Sequence, residues 1–195
     1  MVAARATPNI GKGNMMSVAA TSRATTGLAA PFFKSDLDVL QFALTLEHLE
    51  NEAYKVINAS GKLTGKNAAD LKVIGKHEQD HVDALTAAIT KAGATPVKAR
   101  KSYNFGALGD LSTEAGLLKV AQKMEEIGVA AYNGAGIEIM DKNILGVAGQ
   151  IVQVEARHTG LLRALNNVAP AEAFPKAMPP QDVLAAVTPV LGPEQ

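Results

Sequence analysis

The chain has 195 residues, of which 47% are hydrophobic and 19% are charged, and its 19 basic and 19 acidic side chains leave a formal net charge of zero. This length suits one domain with a sizeable core, and the balanced charge offers no basic surface of the kind that nucleic acid binds. The absence of cysteine excludes disulfides, thiolate zinc sites, iron–sulfur clusters and cysteine nucleophiles, and no apolar run is long enough to predict a transmembrane segment. Metal or proton chemistry would have to use carboxylates and the four histidines.

Residues 1–34 differ from the rest of the chain because they contain basic side chains but no acidic one. They are rich in Ala, Ser, Thr and Gly and show no apolar periodicity. Two interpretations stand side by side: a segment for export or organellar targeting, which is typically basic and poor in acids, or a disordered arm. The compartment is therefore open, with a soluble cytoplasmic protein as the alternative to a targeted one.

The next part of the chain predicts two helices joined by a short turn. Apolar residues recur at a spacing of three and four over residues 35–60, where Ser35 or its neighbour can cap the first helix. A glycine-containing turn over residues 61–65 follows. The second helix is predicted over residues 67–92 and ends at Gly93, a residue type that commonly follows the last helical turn.

A long connection over residues 94–111 separates this hairpin from a second one. The third helix is predicted to start near Ser112, and its apolar stripe extends to Ile137. A break over residues 141–143 leads to a fourth helix, predicted over residues 144–167. The second pair of helices therefore repeats the layout of the first.

No segment shows a strand pattern, so the sequence predicts an all-α protein. Two antiparallel helix hairpins joined by a long crossover are typical of a four-helix bundle. The predicted organisation is an arm over residues 1–34, the bundle over residues 35–168, and a tail over residues 169–195 that packs on the bundle or forms a short fifth helix.

The residues that could bind metal or transfer protons follow one pattern that occurs twice. In each half, a glutamate is followed by a tyrosine seven residues later, and the next helix carries Glu-x-x-His. These residues are Glu47, Tyr54, Glu78 and His81 in the first half and Glu125, Tyr132, Glu155 and His158 in the second. Helical residues three or seven apart share a face, and each pair of glutamates is symmetric about the turn between its helices. The four acids should therefore lie at matching heights.

Four carboxylates in one core layer need compensating positive charge, since each unpaired buried carboxylate costs several kcal/mol or takes up a proton. Within the motifs only Arg157 is basic, and it lies on a different helix face. Two divalent metal ions would supply the charge, and six ligands from four helices are the layout of di-iron and di-manganese carboxylate sites. The predicted ligands are Glu47, Glu78, His81, Glu125, Glu155 and His158.

Several neighbouring residues are candidates for supporting roles. Glu50 lies one helical turn from the first ligand and is predicted to contribute either a bridging oxygen or an oxygen behind the ligands. We expect Tyr54 and Tyr132 to act as hydrogen-bonding groups rather than as redox radicals. His48 is predicted at the surface, and His77 points about 100° away from the ligand face, which favours an exposed position or one behind the ligands. Asp80, Asp83 and Gln153 are candidates to orient the imidazoles.

These segments resemble the ferritin-like superfamily and, more narrowly, the ferritin-like domain proteins grouped with the desiccation-related proteins. The resemblance covers about residues 35–192. It is carried by Leu46-Glu-His-Leu-Glu50 with Tyr54, His77-Glu-Gln-Asp-His81, Glu125-Glu-Ile-Gly-Val129 with Tyr132, and Val154-Glu-Ala-Arg-His158. It implies a dinuclear iron or manganese centre with the six ligands given above, in which Glu78 and Glu155 bridge the ions.

Members of the narrower group are often exported and linked with stress or desiccation. This chain departs from its relatives in two respects: it has no paired-arginine export signal, and it has no cysteine-bound rubredoxin segment. A rubrerythrin-like peroxidase with its own electron relay is therefore not expected.

Two functions remain open at this point. The first is redox chemistry with O2 or peroxide at a di-metal centre in a stress or desiccation context, with electrons from the substrate or from an external donor. The alternative is non-catalytic binding and sequestration of iron or manganese. The sequence does not decide whether the protein is an enzyme or whether two chains form a homodimer.

Overall fold

The computed structural model describes residues 31–194, which fold into five α-helices and two short 3-10 turns. The helices are α1 (Asp36–Ala59), α2 (Gly65–Lys91), α3 (Glu114–Ala135), α4 (Lys142–Leu165) and α5 (Pro180–Val187). Within this part of the chain there is no β-strand, only an isolated bridge between Tyr103 and Leu191. The all-helical prediction is confirmed, and the tail carries the fifth helix. The predicted N-terminal arm lies, up to residue 30, outside the described residues.

Side-chain caps determine where three of these helices begin. The Ser35 hydroxyl accepts from the Asp38 N–H at 3.3 Å at the start of α1, and the Thr113 hydroxyl accepts from the Gly116 N–H at 3.1 Å at the start of α3. At α4 the Asp141 carboxylate accepts from the N–H of Asn143 at 2.7 Å. Because this cap satisfies otherwise unpaired amides, α4 begins two residues earlier than the apolar pattern predicts.

The end of α3 also differs from the prediction. The helix stops at Ala135, and residues 136–138 form a 3-10 turn that leaves Ile137 86% exposed rather than in the core stripe. The Asp36 carboxylate at the start of α1 accepts from the backbone N–H of Met140 at 2.9 Å and of the next residue at 2.7 Å. These long-range bonds stabilise the connection to α4, and α3 therefore ends about one turn earlier than its apolar stripe predicts.

Two apolar clusters occupy the bundle interior and lie on either side of a polar layer. One contains residues near the end of α1 and the start of α2, including Tyr54, Ile57 and Leu71. The other contains residues near the start of α1 and the end of α2, including Leu44 and Ile89. The polar layer therefore sits in mid-bundle. Among the described helices, none combines the length and the apolar character needed to cross a membrane.

The C-terminal tail packs tightly on α3, and this contact gives a stability prediction. The Met178 N–H donates to the Ala130 carbonyl at 2.9 Å, and a Cβ on Gly134 would overlap the backbone carbonyl of Met178. We expect Gly134→Ala to lower the free energy of unfolding by about 1–3 kcal/mol, the range for overpacked sites, as measured by urea denaturation.

Gly136→Ala is the matched control for this substitution. Gly136 has an ordinary helical φ of −58°, and no atom lies within 4 Å of the position that its Cβ would take. Its replacement should change the free energy of unfolding by less than about 0.5 kcal/mol. Equal stabilities for the two variants would contradict the close packing of the tail.

Candidate metal centre

Five glutamates and two histidines are buried together in the polar layer. They come from the middle of all four long helices: Glu47 and Glu50 on α1, Glu78 and His81 on α2, Glu125 on α3, and Glu155 and His158 on α4. Four of the carboxylates have no exposed surface, Glu50 is 2% exposed, and the histidines are 8% and 4% exposed. Burial of so many ionisable groups in one layer is unfavourable unless they are compensated.

The donor atoms of these residues form two overlapping groups, within each of which the atoms lie no more than 4.8 Å from one another. The first group is Glu47, Glu78, His81 and Glu155, and the second is Glu78, Glu125, Glu155 and His158. The structure thus brings together all six residues that the sequence pattern selects. Glu78 and Glu155 belong to both groups, so the groups could hold two ions side by side.

In the first group, the carboxylates surround His81. Its Nδ1 lies 2.9 Å from Glu155 Oε1 and 3.3 Å from one oxygen each of Glu47 and Glu78. Burial alone would lower the pKa of His81, but these close carboxylates outweigh it and raise the pKa to about 12. Burial raises the pKa of Glu47 to about 8. At neutral pH this group therefore retains protons on His81 and Glu47.

The second group has the same character around His158. Its Nδ1 lies 3.1 Å from Glu78 Oε1, 3.3 Å from Glu125 Oε2 and 3.7 Å from Glu155 Oε2. Burial acts to lower the pKa of His158, whereas the carboxylates of Glu125, Glu155 and Glu78 raise it to about 12. Burial, followed by the charges of Glu155 and Glu78, raises the pKa of Glu125 well above its usual value.

Two tyrosines orient the unshared carboxylates. The Tyr132 hydroxyl donates to Glu47 Oε1 at 2.5 Å, and the Tyr54 hydroxyl donates to Glu125 Oε1 at 2.5 Å. Burial raises the pKa of both hydroxyls well above the ordinary value, which keeps them protonated as donors. Each bond holds one carboxylate oxygen and leaves the other, Oε2, buried without a hydrogen-bond partner. The tyrosines thereby direct a free oxygen from α1 and from α3 into the layer.

The unpartnered atoms test whether the layer fits metal ions. Among the described residues they include Glu47 Oε2, Glu78 Oε1, Glu125 Oε2, both oxygens of Glu155, and His158 Nδ1. These atoms lie close together, but the angles between them are not those of hydrogen bonds. Native proteins rarely leave buried polar atoms unpaired, because each costs about 1–3 kcal/mol. Oxygen and imidazole donors that converge in this way fit hard or borderline divalent cations.

His77 takes the second of the two positions predicted for it, behind a candidate ligand rather than exposed. Its Nδ1 lies 3.0 Å from His158 Nε2, and the two rings are nearly parallel, with an interplanar angle of 8°. If His158 uses Nδ1 as the ligand atom, its Nε2–H donates to His77, which fixes the tautomer. The helix face of His77 is as predicted, but only the approach of α2 to α4 places it against the imidazole.

The other polar candidates take different positions. Asp80 forms an exposed ion pair with Lys76 at 2.6 Å, and Asp83 accepts from the Gln79 side chain at 2.9 Å. Gln153 is exposed. His48 is half-buried and bonds to the Val97 carbonyl at 3.1 Å, away from the layer.

Comparisons with known proteins agree with this architecture. Residues 35–168 match the family model of the ferritin-like domain. No curated protein sequence gives a significant match. Among solved structures, the chain resembles a conserved hypothetical protein from Mycobacterium tuberculosis, with 18% identity and a TM-score of 0.61 over 67% of this chain and 96% of that one. It also resembles a hypothetical protein from Methanococcus jannaschii, with 16% identity and a TM-score of 0.62 over 83% and 96%. At these identities the two structures show a shared fold.

Proposed function

The chain belongs to the ferritin-like domain family, and from that premise we propose that it binds two iron or manganese ions and uses them in redox chemistry with O2 or peroxide. The observation that carries this proposal is the convergence of buried, unpartnered oxygen and nitrogen atoms in two overlapping groups. A context of stress or desiccation is part of the same proposal and rests on the sequence resemblance.

The ligand assignment follows the two donor groups. Glu47 and His81 would hold one ion, Glu125 and His158 the other, and the carboxylates of Glu78 and Glu155 would be shared. Four carboxylates balance the charge of two divalent ions when the imidazoles are neutral. The donors are oxygen and nitrogen, and the chain has no thiolate, which favours iron or manganese over a thiolate-seeking metal.

Bound iron or manganese would supply the electron-transfer chemistry that side chains lack. The side chains in and around the layer would do three things for such a centre. Tyr54 and Tyr132 hold the unshared carboxylates in place through their Oε1 atoms. The apolar clusters on both sides keep bulk water out. The protons that Glu47 and the histidines retain without metal must leave when cations bind, so binding releases protons to solvent.

The alternative function is retention of iron or manganese without turnover. It is favoured by the complete burial of the four ligand carboxylates, which would slow metal exchange. Because the chain has no cysteine, it has no thiol-based electron relay of its own, and electrons would come from the substrate or from an external donor.

One experiment separates the two functions. The protein is loaded with Fe(II) or Mn(II), and consumption of H2O2, or of O2 with ascorbate added as the electron donor, is followed with an electrode at substoichiometric protein. We expect many equivalents consumed per chain, with Glu155→Ala as the matched inactive variant. Consumption that stops at one equivalent per bound ion would contradict catalysis and leave sequestration as the function.

His77 provides a separate prediction for the same centre. We expect His77→Ala to weaken metal binding in the His158 group by about 10–100-fold, the usual effect of removing a residue that orients a ligand imidazole. Equilibrium dialysis against Mn(II) with elemental analysis measures the change. His48→Ala removes a histidine that lies away from the layer and serves as the control. Equal affinities in the two variants would remove His77 from the centre.

A further inference from the structure

Glu50 is a fifth buried carboxylate that the six proposed ligands do not explain. It is 2% exposed, its Oε2 has no hydrogen-bond partner, and it belongs to neither donor group. Burial is the main cause that raises its pKa well above the usual value, and the negative charges of Glu155 and Glu47 raise it further. A buried carboxylate without a partner is unfavourable, so its presence needs a reason.

The two tyrosine bonds define where Glu50 lies. Tyr132 on α3 donates a hydrogen bond to Glu47 on α1, and Tyr54 on α1 donates one to Glu125 on α3. The two helices therefore run antiparallel, and the two bonds mark the ends of the segment over which they face each other. Glu50 lies about midway between the two bonds on α1. The position about midway between them on α3 is residue 128. Glu50 is therefore at the centre of the seam between α1 and α3, at the level of the donor groups.

Gly128 leaves the space that the Glu50 side chain occupies. A Cβ at residue 128 would lie 2.6 Å from Glu50 Oε1 and 3.4 Å from Oε2, and the first distance is too short for any non-glycine side chain without movement of the carboxylate. The close approach of a carboxylate to a helix backbone thus depends on this glycine.

The internal repeat explains why the pair is Glu and Gly. Residue 50 is three positions after Glu47, and residue 128 is three positions after Glu125, so they are equivalent in the two halves. Equivalent positions at the centre of an antiparallel seam face each other across the pseudo-twofold axis. The spacing admits one long side chain there and not two. The charges of Glu155, Glu47, Glu125 and Glu78 all act on the Glu50 carboxylate, so members of both donor groups lie near it.

We propose that Glu50 is a fifth carboxylate of the metal centre, reaching it along the seam between α1 and α3 through the space left by Gly128. The inference rests on the proposed function, since it needs metal in the layer. As a ligand, Glu50 makes the two halves of the centre unequal, because the equivalent position in the second half is a glycine. It places an additional oxygen donor on the side opposite the two helices that carry the histidines. With Glu50 ionised, the layer carries one negative charge more than two divalent ions neutralise.

This assignment predicts opposite effects on the metal-free and metal-bound protein. Without metal, Glu50 is an unpaired buried acid, and its replacement by the neutral, isosteric glutamine should raise the thermal midpoint of unfolding. With metal, the same replacement exchanges an anionic carboxylate ligand for a neutral amide oxygen, a weaker donor, and should weaken binding. A residue with only a packing role would lower both quantities.

The test compares Glu50→Gln, Gly128→Ala and the control Glu52→Gln, a half-buried position on the same helix whose side chain pairs with Lys55. Mn(II) affinity is measured by equilibrium dialysis with elemental analysis, and thermal unfolding is measured in excess chelator. We expect at least tenfold weaker Mn(II) binding in Glu50→Gln and a higher metal-free midpoint. Gly128→Ala keeps the charge but displaces the carboxylate, and it should weaken Mn(II) binding as well. Glu52→Gln should match the unaltered chain.

Three outcomes would overturn the inference. Unchanged Mn(II) affinity in Glu50→Gln, with two ions bound by the unaltered chain, would exclude Glu50 as a ligand and leave the proposed function intact. A fall in both affinity and metal-free midpoint would assign Glu50 a packing role. Failure of the unaltered chain to bind Mn(II) would overturn the proposed function and this inference together.

Discussion

Removal of metal is expected to lower the thermal midpoint of unfolding more than any single substitution in the apolar core. A ligand that binds only the folded state at a 1,000-fold excess over its Kd stabilises the protein by about 4 kcal/mol per site. For a domain of this size, each kcal/mol shifts the midpoint by about 2–4 °C, so each occupied site should contribute about 8–16 °C. Calorimetry after chelator dialysis and again after Mn(II) addition measures the difference.

The physical reason lies in the unpaired atoms of the polar layer. Without cations, Glu47 and Glu125 have raised pKa values because they are buried, and several carboxylate oxygens lack hydrogen-bond partners. Metal ions would satisfy these atoms in the folded state alone, since the unfolded chain has no such cluster.

Glu155→Ala is the control for this experiment, because the residue belongs to both donor groups. Its midpoint should change little on addition of Mn(II). A rise equal to that of the unaltered chain would assign the stabilisation to surface binding, and equal midpoints with chelator and with Mn(II) would contradict a metal centre in the layer.

The helices themselves could be predicted because their signals are local. Periodic apolar residues, the glycine turn after α1 and the break before α4 depend on short stretches of sequence. The end of α3 could not be predicted in this way. Ile137 continues the apolar stripe, but the carboxylate of Asp36 binds the backbone beyond it, and that contact joins residues about a hundred positions apart.

The six candidate ligands could be selected from the sequence because two constraints act together. Helical spacing places each glutamate on the face of its histidine or tyrosine, and symmetry about each turn places the acids at one height. For His77 the sequence left two positions open, exposed or behind the ligands, because its contact with His158 depends on the distance between α2 and α4. The Glu50–Gly128 pair did leave a signal: aligning the two halves of the repeat places these residues at equivalent positions.

Glu78→Ala is expected to remove both metal ions, whereas Glu47→Ala should remove about one. Glu78 Oε1 lies 3.1 Å from the nitrogen of His158, and its Oε2 lies 3.3 Å from the nitrogen of His81. Its loss therefore removes one donor from each group, while Glu47 belongs only to the group of His81. Elemental analysis after dialysis against Mn(II) gives the metal content per chain.

The difference between these two variants tests the shared position of Glu78 rather than the loss of any buried acid. Both residues are fully buried glutamates, so both substitutions remove a side chain of the same size from the core. Glu78→Gln preserves the volume and should lose metal as Glu78→Ala does, while circular dichroism without metal checks that the helices are retained. Equal metal content in Glu78→Ala and Glu47→Ala would mean that the two donor groups do not share Glu78. The ions would then be bound separately, and a centre in which they act on one oxidant together would lose its structural basis.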